Sequence, residues 1–80
     1  MGRAEKLREK IIGGRSDANI SFDELRNFLL SLGFEERIRG SHHNFQMAGI
    51  VEQPNLQRDG NKAKGYQVRQ VRRLINRYGL

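Results

Sequence analysis

The hydrophobic residues of this chain recur with a helical period near both ends and with a strand period in the middle. Residues 3–12 place apolar side chains on one face and charged ones on the other, which predicts a short helix. Residues 22–32 follow a capping box, in which Ser21 precedes Glu24 by three residues, and Gly33 suits the position that ends a helix. We therefore expect a second helix over residues 22–32. Its apolar stripe consists of Leu25, Phe28, Leu29 and Leu32.

Alternation of apolar and polar residues marks the middle of the chain. Residues 34–39 and 42–48 both alternate with a period of two, and they are separated by the turn formers Gly40-Ser41. This pattern predicts a β-hairpin. A third extended run, residues 51–58, contains Pro54, which lacks a backbone N–H. We therefore expect that strand to lie at an edge or to be paired on one side only.

The helical period returns after a predicted turn at residues 59–61. It predicts a last helix over residues 66–78, with an apolar stripe of Val68, Val71, Ile75 and Tyr78. The order of elements is therefore α-α-β-β-β-α. This order predicts an α+β fold of two layers, in which a three-stranded antiparallel sheet packs on helices. Eighty residues suit a single domain, residues 1–80.

The positive charge of the chain is concentrated at its C-terminal end. The formal net charge is +6, and residues 1–61 balance to zero. A basic segment of this kind is typical of a protein that binds a polyanion, and nucleic acid is the partner we favour. A solvated helix face and a contact for an acidic protein are the alternatives. The cations of residues 62–80, which contain no acid, are Lys62, Lys64, Arg69, Arg72, Arg73 and Arg77.

The composition also limits the kinds of site that the chain can hold. It contains no cysteine, so it has no disulfide and no thiolate metal site, and we expect a reducing, cytoplasmic location. No apolar run approaches the ~20 residues of a membrane span, so we expect no membrane partner. Neither a carboxylate cluster, a Walker loop nor a dinucleotide fingerprint occurs, so we expect no metal and no cofactor.

The two adjacent histidines fall on opposite faces of the second predicted strand. His43 is in register with apolar residues and is expected to pack toward the core, whereas His42 is in register with amides beside the turn and is expected to face solvent. The pair therefore cannot chelate one metal ion together. With Arg37 and Arg39 on the neighbouring strand, an exposed His42 is a candidate for proton transfer. The alternative is a surface histidine without a role.

One exposed imidazole and several cations suffice for metal-free cleavage of RNA, because the ribose 2′-hydroxyl supplies the nucleophile. A single general acid or base contributes typically about 10²–10⁴-fold in rate, which suits a slow regulatory ribonuclease. The alternatives are a non-catalytic RNA-binding module and an interaction protein that binds an acidic partner. With no tryptophan and few aromatic residues, we expect no exposed stacking platform for bases.

A short motif in the hairpin resembles a known family. Gly40-Ser41-His42, followed by Phe45 and preceded by a capped helix and Gly33-Phe34, resembles the HicA toxins of type II toxin–antitoxin systems. The closing segment, residues 55–69, fits the strand and helix that end those proteins. The resemblance covers residues 20–80, and residues 3–12 look like the accessory helix of a longer subgroup.

This resemblance implies a fold like that of double-stranded-RNA-binding domains, cleavage of mRNA, and neutralisation by a HicB-type antitoxin. It also implies that His42 is the catalytic residue. Lys62 and Lys64 look like the lysines with which double-stranded-RNA-binding domains hold phosphates. The expected RNA-binding residues are Arg37, Arg39, Lys62, Lys64 and Arg69, with Ser41 and His43 as auxiliary residues. We expect the antitoxin to cover the edge of the sheet that carries His42.

Overall fold

Three helices and two small antiparallel sheets make up residues 3–80, the part of the chain that the computed structural model describes. The helices are α1 (Arg3–Gly13), α2 (Phe22–Ser31) and α3 (Gly65–Tyr78), with a short 3₁₀ turn at Asp17–Asn19. The strands are β1 (Glu35–Arg39), β2 (His42–Gln46), β3 (Asn55–Leu56), β4 (Arg58–Asp59) and β5 (Lys62–Ala63). The predicted α+β class and its order α-α-β-β-β-α are confirmed, with one further small sheet.

The capping signal that predicted α2 operates as expected. The Ser21 hydroxyl accepts a hydrogen bond from the backbone N–H of Glu24 at 3.3 Å, which satisfies one N–H of the first turn. At the other end Gly33 has a φ of 105°, a conformation that other residues rarely adopt. The chain can therefore leave the helix and begin β1 after only three intervening residues. The buried face of α2 consists of Phe22, Leu25, Phe28 and Leu29.

The first helix is part of the core. Ile11 is fully buried and Leu7 nearly so, in one cluster with the apolar faces of α2 and α3. Arg72 of α3 secures the end of α1, because its guanidinium donates to the carbonyl of Ile11 at 3.1 Å and to both carboxylate oxygens of Asp17. The helix over residues 3–12 therefore belongs to the same packed unit as the rest of the described chain.

The predicted hairpin is present and forms the larger sheet. In β1 and β2, Arg39 pairs with His42 and Ile38 with His43, around a turn at Gly40. The third strand pairs only with β2, so it is an edge strand as expected.

That edge strand is shorter than predicted. Only two residues of the run 51–58 belong to β3, because Pro54 has no N–H to donate. The proline instead accepts through its carbonyl, from the N–H of Phe45 at 2.8 Å. Residues 59–61, expected as a turn, lie within a second sheet in which β4 pairs with β5.

One face of the larger sheet packs on the helices through Phe45 and Leu56, which are fully buried beside Val68 and Val71 of α3. Ile38 is an exception to the predicted pattern. It shares the parity of the inward residues, yet it is 56% exposed, because it lies next to the hairpin turn and does not pack against the core cluster.

No helix within residues 3–80 is both long enough and apolar enough to cross a membrane. The last helix is amphipathic, and it ends where Gly79 takes a φ of 65° and donates its N–H to the carbonyl of Ile75 at 2.9 Å. It begins one residue earlier than predicted, at Gly65. Its N-terminal turn faces the region between β3 and β4, where the backbone N–H of Gln57 donates to Gln67.

Candidate functional site

His42 opens β2 and is exposed on the face of the sheet opposite to the helices. Its Nδ1 lies 3.4 Å from the amide oxygen of Asn55 on β3. Because an amide oxygen can only accept, this contact favours the tautomer that carries hydrogen on Nδ1. The other ring nitrogen, Nε2, then has a free lone pair, and no partner for it occurs among residues 3–80. Such an imidazole can accept a proton from a substrate.

Two arginines lie on the same face, on the neighbouring strand. Arg39 is the register partner of His42, and Arg37 pairs with Asn44. Both arginines are exposed, and neither forms an ion pair with an acid of the described chain. They line a shallow, mostly polar depression of about 340 Å³, together with residues that include Asn44, Gln46 and Gln53. This depression offers positive charge and amide groups to a ligand that bears anionic oxygen.

Lys64 reaches the same edge of the sheet through a glutamine. The Lys64 ammonium donates to the side-chain oxygen of Gln57 at 3.4 Å, and the Gln57 amide nitrogen donates to the hydroxyl of Ser41 at 3.2 Å. Ser41 immediately precedes His42. The structure therefore brings together four of the predicted residues: Ser41, His42, Arg39 and Lys64.

A buried glutamine binds the backbone of both Gln57 and Lys64. Gln67 is only 1% exposed, and its side-chain oxygen accepts from the backbone N–H of Gln57 at 3.2 Å and from that of Lys64 at 3.4 Å. Its amide nitrogen lies 3.4 Å from the hydroxyl of Tyr66. The sequence reasoning missed both glutamines. The signal for Gln67 was its place three residues after Lys64, where a Gln side chain can cap the start of a helix.

His43 lies on the opposite, inward face of the sheet, where its ring contacts other side chains of the protein. Its Nδ1 lies 2.8 Å from the Glu36 carboxylate, which also accepts two hydrogen bonds from Arg26 at 2.6 and 2.7 Å. The ring packs edge-on against Phe22 at a centroid distance of 4.9 Å. The pKa of Glu36 lies below its ordinary value, chiefly because of the Arg26 hydrogen bonds, with a smaller contribution from His43. The auxiliary role expected for His43 would thus have to act from the other side of the sheet.

An acidic residue, Glu36, lies on the inward face of β1, where it pairs with the buried Phe45. The Glu36 side chain is only 9% exposed. The alternation along β1 directs Glu36 inward, and the carboxylate can be buried there because Arg26 and His43 satisfy both of its oxygens. The inward face of β1 is therefore polar at its centre and apolar only near its ends.

The remaining predicted RNA-binding residues lie apart from the His42 edge. Lys62, on β5, donates to the side-chain oxygen of Asn19 at 3.0 Å, which places it beside the 3₁₀ turn. Arg69 is exposed on α3, one turn after its start. These two cations can extend a phosphate track, but the geometry does not join them to Ser41 and Lys64.

Two arginines of the basic helix are already paired within the protein. Arg72 forms a bidentate ion pair with Asp17, at 2.9 and 3.1 Å, and the pKa of Arg72 is raised by that contact. Arg77 pairs with Glu52 at 3.0 Å. The charge of the C-terminal segment is thus only partly available to a partner, and the exposed cations of α3 without an acid partner in residues 3–80 are Arg69 and Arg73.

Comparison of the chain with protein families, with curated proteins and with solved structures finds no match. The resemblance to HicA toxins therefore depends on the Gly40-Ser41-His42 motif and on the order of the elements. Within residues 3–80, no group of three or more His, Cys, Asp and Glu side chains is placed to hold a metal ion. The chemistry available at the His42 edge is that of one imidazole, one hydroxyl, two amides and several cations.

Proposed function

We propose that this protein is a metal-independent endoribonuclease of the HicA type, the toxin of a toxin–antitoxin pair, with His42 as its general acid or base. The observation that carries the proposal is the exposed His42 imidazole, with Nε2 free, between Arg39 on one side and the Ser41–Gln57–Lys64 hydrogen bonds on the other. A toxin of this kind would act on mRNA in the cytoplasm.

The proposed reaction needs a nucleophile that only RNA provides. The ribose 2′-oxygen attacks the adjacent phosphorus, the bond from phosphorus to the 5′-oxygen breaks, and the products are a 2′,3′-cyclic phosphate and a free 5′-hydroxyl. His42 Nε2 accepts the proton of the 2′-hydroxyl, and water protonates the departing 5′-oxygen. DNA lacks the 2′-hydroxyl and would not be cleaved.

The cations have a separate role in this reaction. The phosphorane carries more negative charge than the substrate phosphate. Arg39, the register partner of His42, and Lys64, which is connected through Gln57 to the neighbouring Ser41, are the cations proposed to stabilise it. A preorganised donor at such an oxyanion contributes on the order of 10²–10³-fold in rate. Arg37, next along the outer face of β1, would hold a neighbouring phosphate.

The decisive experiment compares cleavage of a labelled single-stranded RNA by the wild-type protein and by His42→Ala, with EDTA present. His42 is exposed, so the variant should keep the fold, which circular dichroism can check. We expect cleavage to fall about 10²–10⁴-fold while binding persists, and the 3′ product to carry a cyclic phosphate. Equal cleavage by both proteins would remove His42 from the chemistry.

The second candidate is a non-catalytic RNA-binding module, favoured by the polar depression beside Arg37 and Arg39, which could bind phosphates without any proton transfer. This function predicts strongly salt-dependent binding, no cleavage by the wild type, and unchanged binding by His42→Ala. The same pair of measurements therefore separates the two functions.

The proposed partner is a HicB-type antitoxin that covers the edge of the sheet bearing His42. A protein that blocked this edge would prevent RNA from reaching the imidazole and both nearby cations together. The test is a structure of the inhibited complex. An inhibitory complex that left His42 exposed would contradict this part of the proposal.

A further inference from the structure

Tyr66 is an aromatic residue whose side chain is exposed to solvent. It is 56% exposed at the first turn of α3. Within the described residues, the other large hydrophobic side chains with substantial exposure are aliphatic: Ile12, Ile38 and Val51. The sequence predicted no exposed stacking platform for bases, yet Tyr66 places one aromatic side chain in solvent.

The tyrosine is connected to the His42 edge by hydrogen bonds. Its hydroxyl lies 3.4 Å from the amide nitrogen of Gln67, and the same Gln67 accepts from the backbone N–H of Gln57. The Gln57 side chain in turn contacts both Ser41 and Lys64. A fully buried anchor thus restrains the phenol, while more than half of the side chain faces solvent.

We propose that Tyr66 is a nucleobase-stacking subsite beside the His42 site. This inference rests on the proposed function, since it places a base of the same RNA whose phosphate contacts Lys64. An aromatic ring next to a cation is the combination that single-stranded RNA requires, with the ring under the base and the ammonium at the phosphate. A base within a duplex has no free face, so the subsite selects an unpaired nucleotide.

Two substitutions separate stacking from a structural role of the tyrosine. Tyr66→Phe removes the hydroxyl but keeps the ring, whereas Tyr66→Leu removes the ring. We expect Tyr66→Phe to bind single-stranded RNA as the wild type does, and Tyr66→Leu to bind about 5- to 150-fold more weakly. If the hydroxyl contact to Gln67 were what mattered, both variants would lose affinity equally, and that result would overturn the proposal.

The binding assay uses a labelled oligonucleotide with 2′-O-methyl riboses, which cannot be cleaved, at one fixed salt concentration. A version with a single abasic position, moved stepwise along the strand, supplies the matched ligand. When the abasic position is the one that stacks on Tyr66, the affinity of the wild type should fall by the same factor as the substitution Tyr66→Leu lowers affinity for the intact oligonucleotide. At that position Tyr66→Leu should bind the abasic and the intact oligonucleotides equally well. A perfect duplex of the same sequence should bind equally to both proteins.

Intrinsic fluorescence gives an independent reading, because the chain has two tyrosines and no tryptophan. In Tyr78→Phe the emission comes from Tyr66, and we expect the RNA to quench it. In Tyr66→Phe it comes from Tyr78, whose hydroxyl binds Glu52, and we expect no quenching. No binding of RNA by the wild type would overturn the proposed function itself. Binding by the wild type with unchanged affinity in Tyr66→Leu would overturn the subsite alone.

Discussion

The ion pair inside the sheet–helix interface gives the sharpest prediction about stability. Glu36 accepts two hydrogen bonds from Arg26, at 2.6 and 2.7 Å, and contacts His43 at 2.8 Å, with only 9% of its own side chain exposed. The substitution Glu36→Gln keeps the size of the side chain and removes its charge. Glutamine keeps only one acceptor oxygen and puts an NH2 donor in place of the other, so Arg26 and His43 lose the negative charge and one of the two oxygens that they contacted.

The expected loss follows from how well each partner can be hydrated again. Hydrogen bonds to charged groups contribute about 1.5–3 kcal/mol, and a partner that can turn to solvent loses less. The Arg26 side chain is 34% exposed and can recover water, whereas that of His43 is 14% exposed and cannot do so fully. We therefore expect Glu36→Gln to lower the free energy of unfolding by about 2 kcal/mol.

The measurement is urea or thermal unfolding followed by circular dichroism. For a domain of this size about 2 kcal/mol corresponds to a decrease in Tm of roughly 8–16 °C. Glu35→Gln is the matched control, because it removes the same charge from the neighbouring residue, which is exposed. We expect that control to change stability by less than about 0.5 kcal/mol. Equal stability of the two variants would refute the reasoning.

The pH dependence provides a second check on the same residue. Folding lowers the pKa of Glu36 from its ordinary value of 4.5, so the stabilisation is complete above that value and is lost as the pH falls through the lower pKa of the folded protein. The difference between the wild type and Glu36→Gln should thus be largest near neutral pH and shrink in acid. A difference that persisted unchanged well below the folded pKa would contradict an origin in this carboxylate.

Two further predictions concern the last helix and the His42 edge. Arg72→Ala should lower the Tm clearly, because it leaves the Asp17 carboxylate and the end of α1 without their donor. Arg73→Ala should not, since Arg73 is exposed and unpaired within residues 3–80. Equal effects of the two substitutions in thermal unfolding would contradict this assignment. Gln57→Leu should lower kcat for RNA cleavage more than it raises KM, because it releases Lys64 from its position. Gln57→Glu, which keeps an acceptor for the Lys64 ammonium, should restore part of the rate. A change in KM alone would assign Gln57 to binding.

Much of the local structure could be read directly from the residues. Ser21 and Glu24 predicted the start of α2, and the turn formers Gly40-Ser41 predicted the hairpin. The outward placement of His42 also followed from the parity of its strand. These features were accessible because a helix cap, a tight turn and the alternation of side chains depend on residues within a few positions of one another.

The same parity rule did not predict the extent of packing. It placed Ile38 on the inward face, yet Ile38 lies outside the core cluster and is exposed. It also placed the charged Glu36 inward, and only the structure shows that Arg26 from α2 pairs with it there. The small sheet of β4 and β5 was missed for a related reason. Its strands are two residues long, too short to show a period, and a backbone hydrogen bond from Ala63 to the carbonyl of Ile20 attaches them to the chain before α2.

The sequence by itself determined the helices, the hairpin and the face on which His42 lies, because each depends on local conformation. Only the tertiary structure decided which polar groups meet. Gln57 and Gln67 connect Lys64 to Ser41, and Arg72 pairs with Asp17, through contacts that span 7 to 55 residues. Such contacts depend on how α3 is oriented against the rest of the fold, and no local pattern in the chain encodes that orientation.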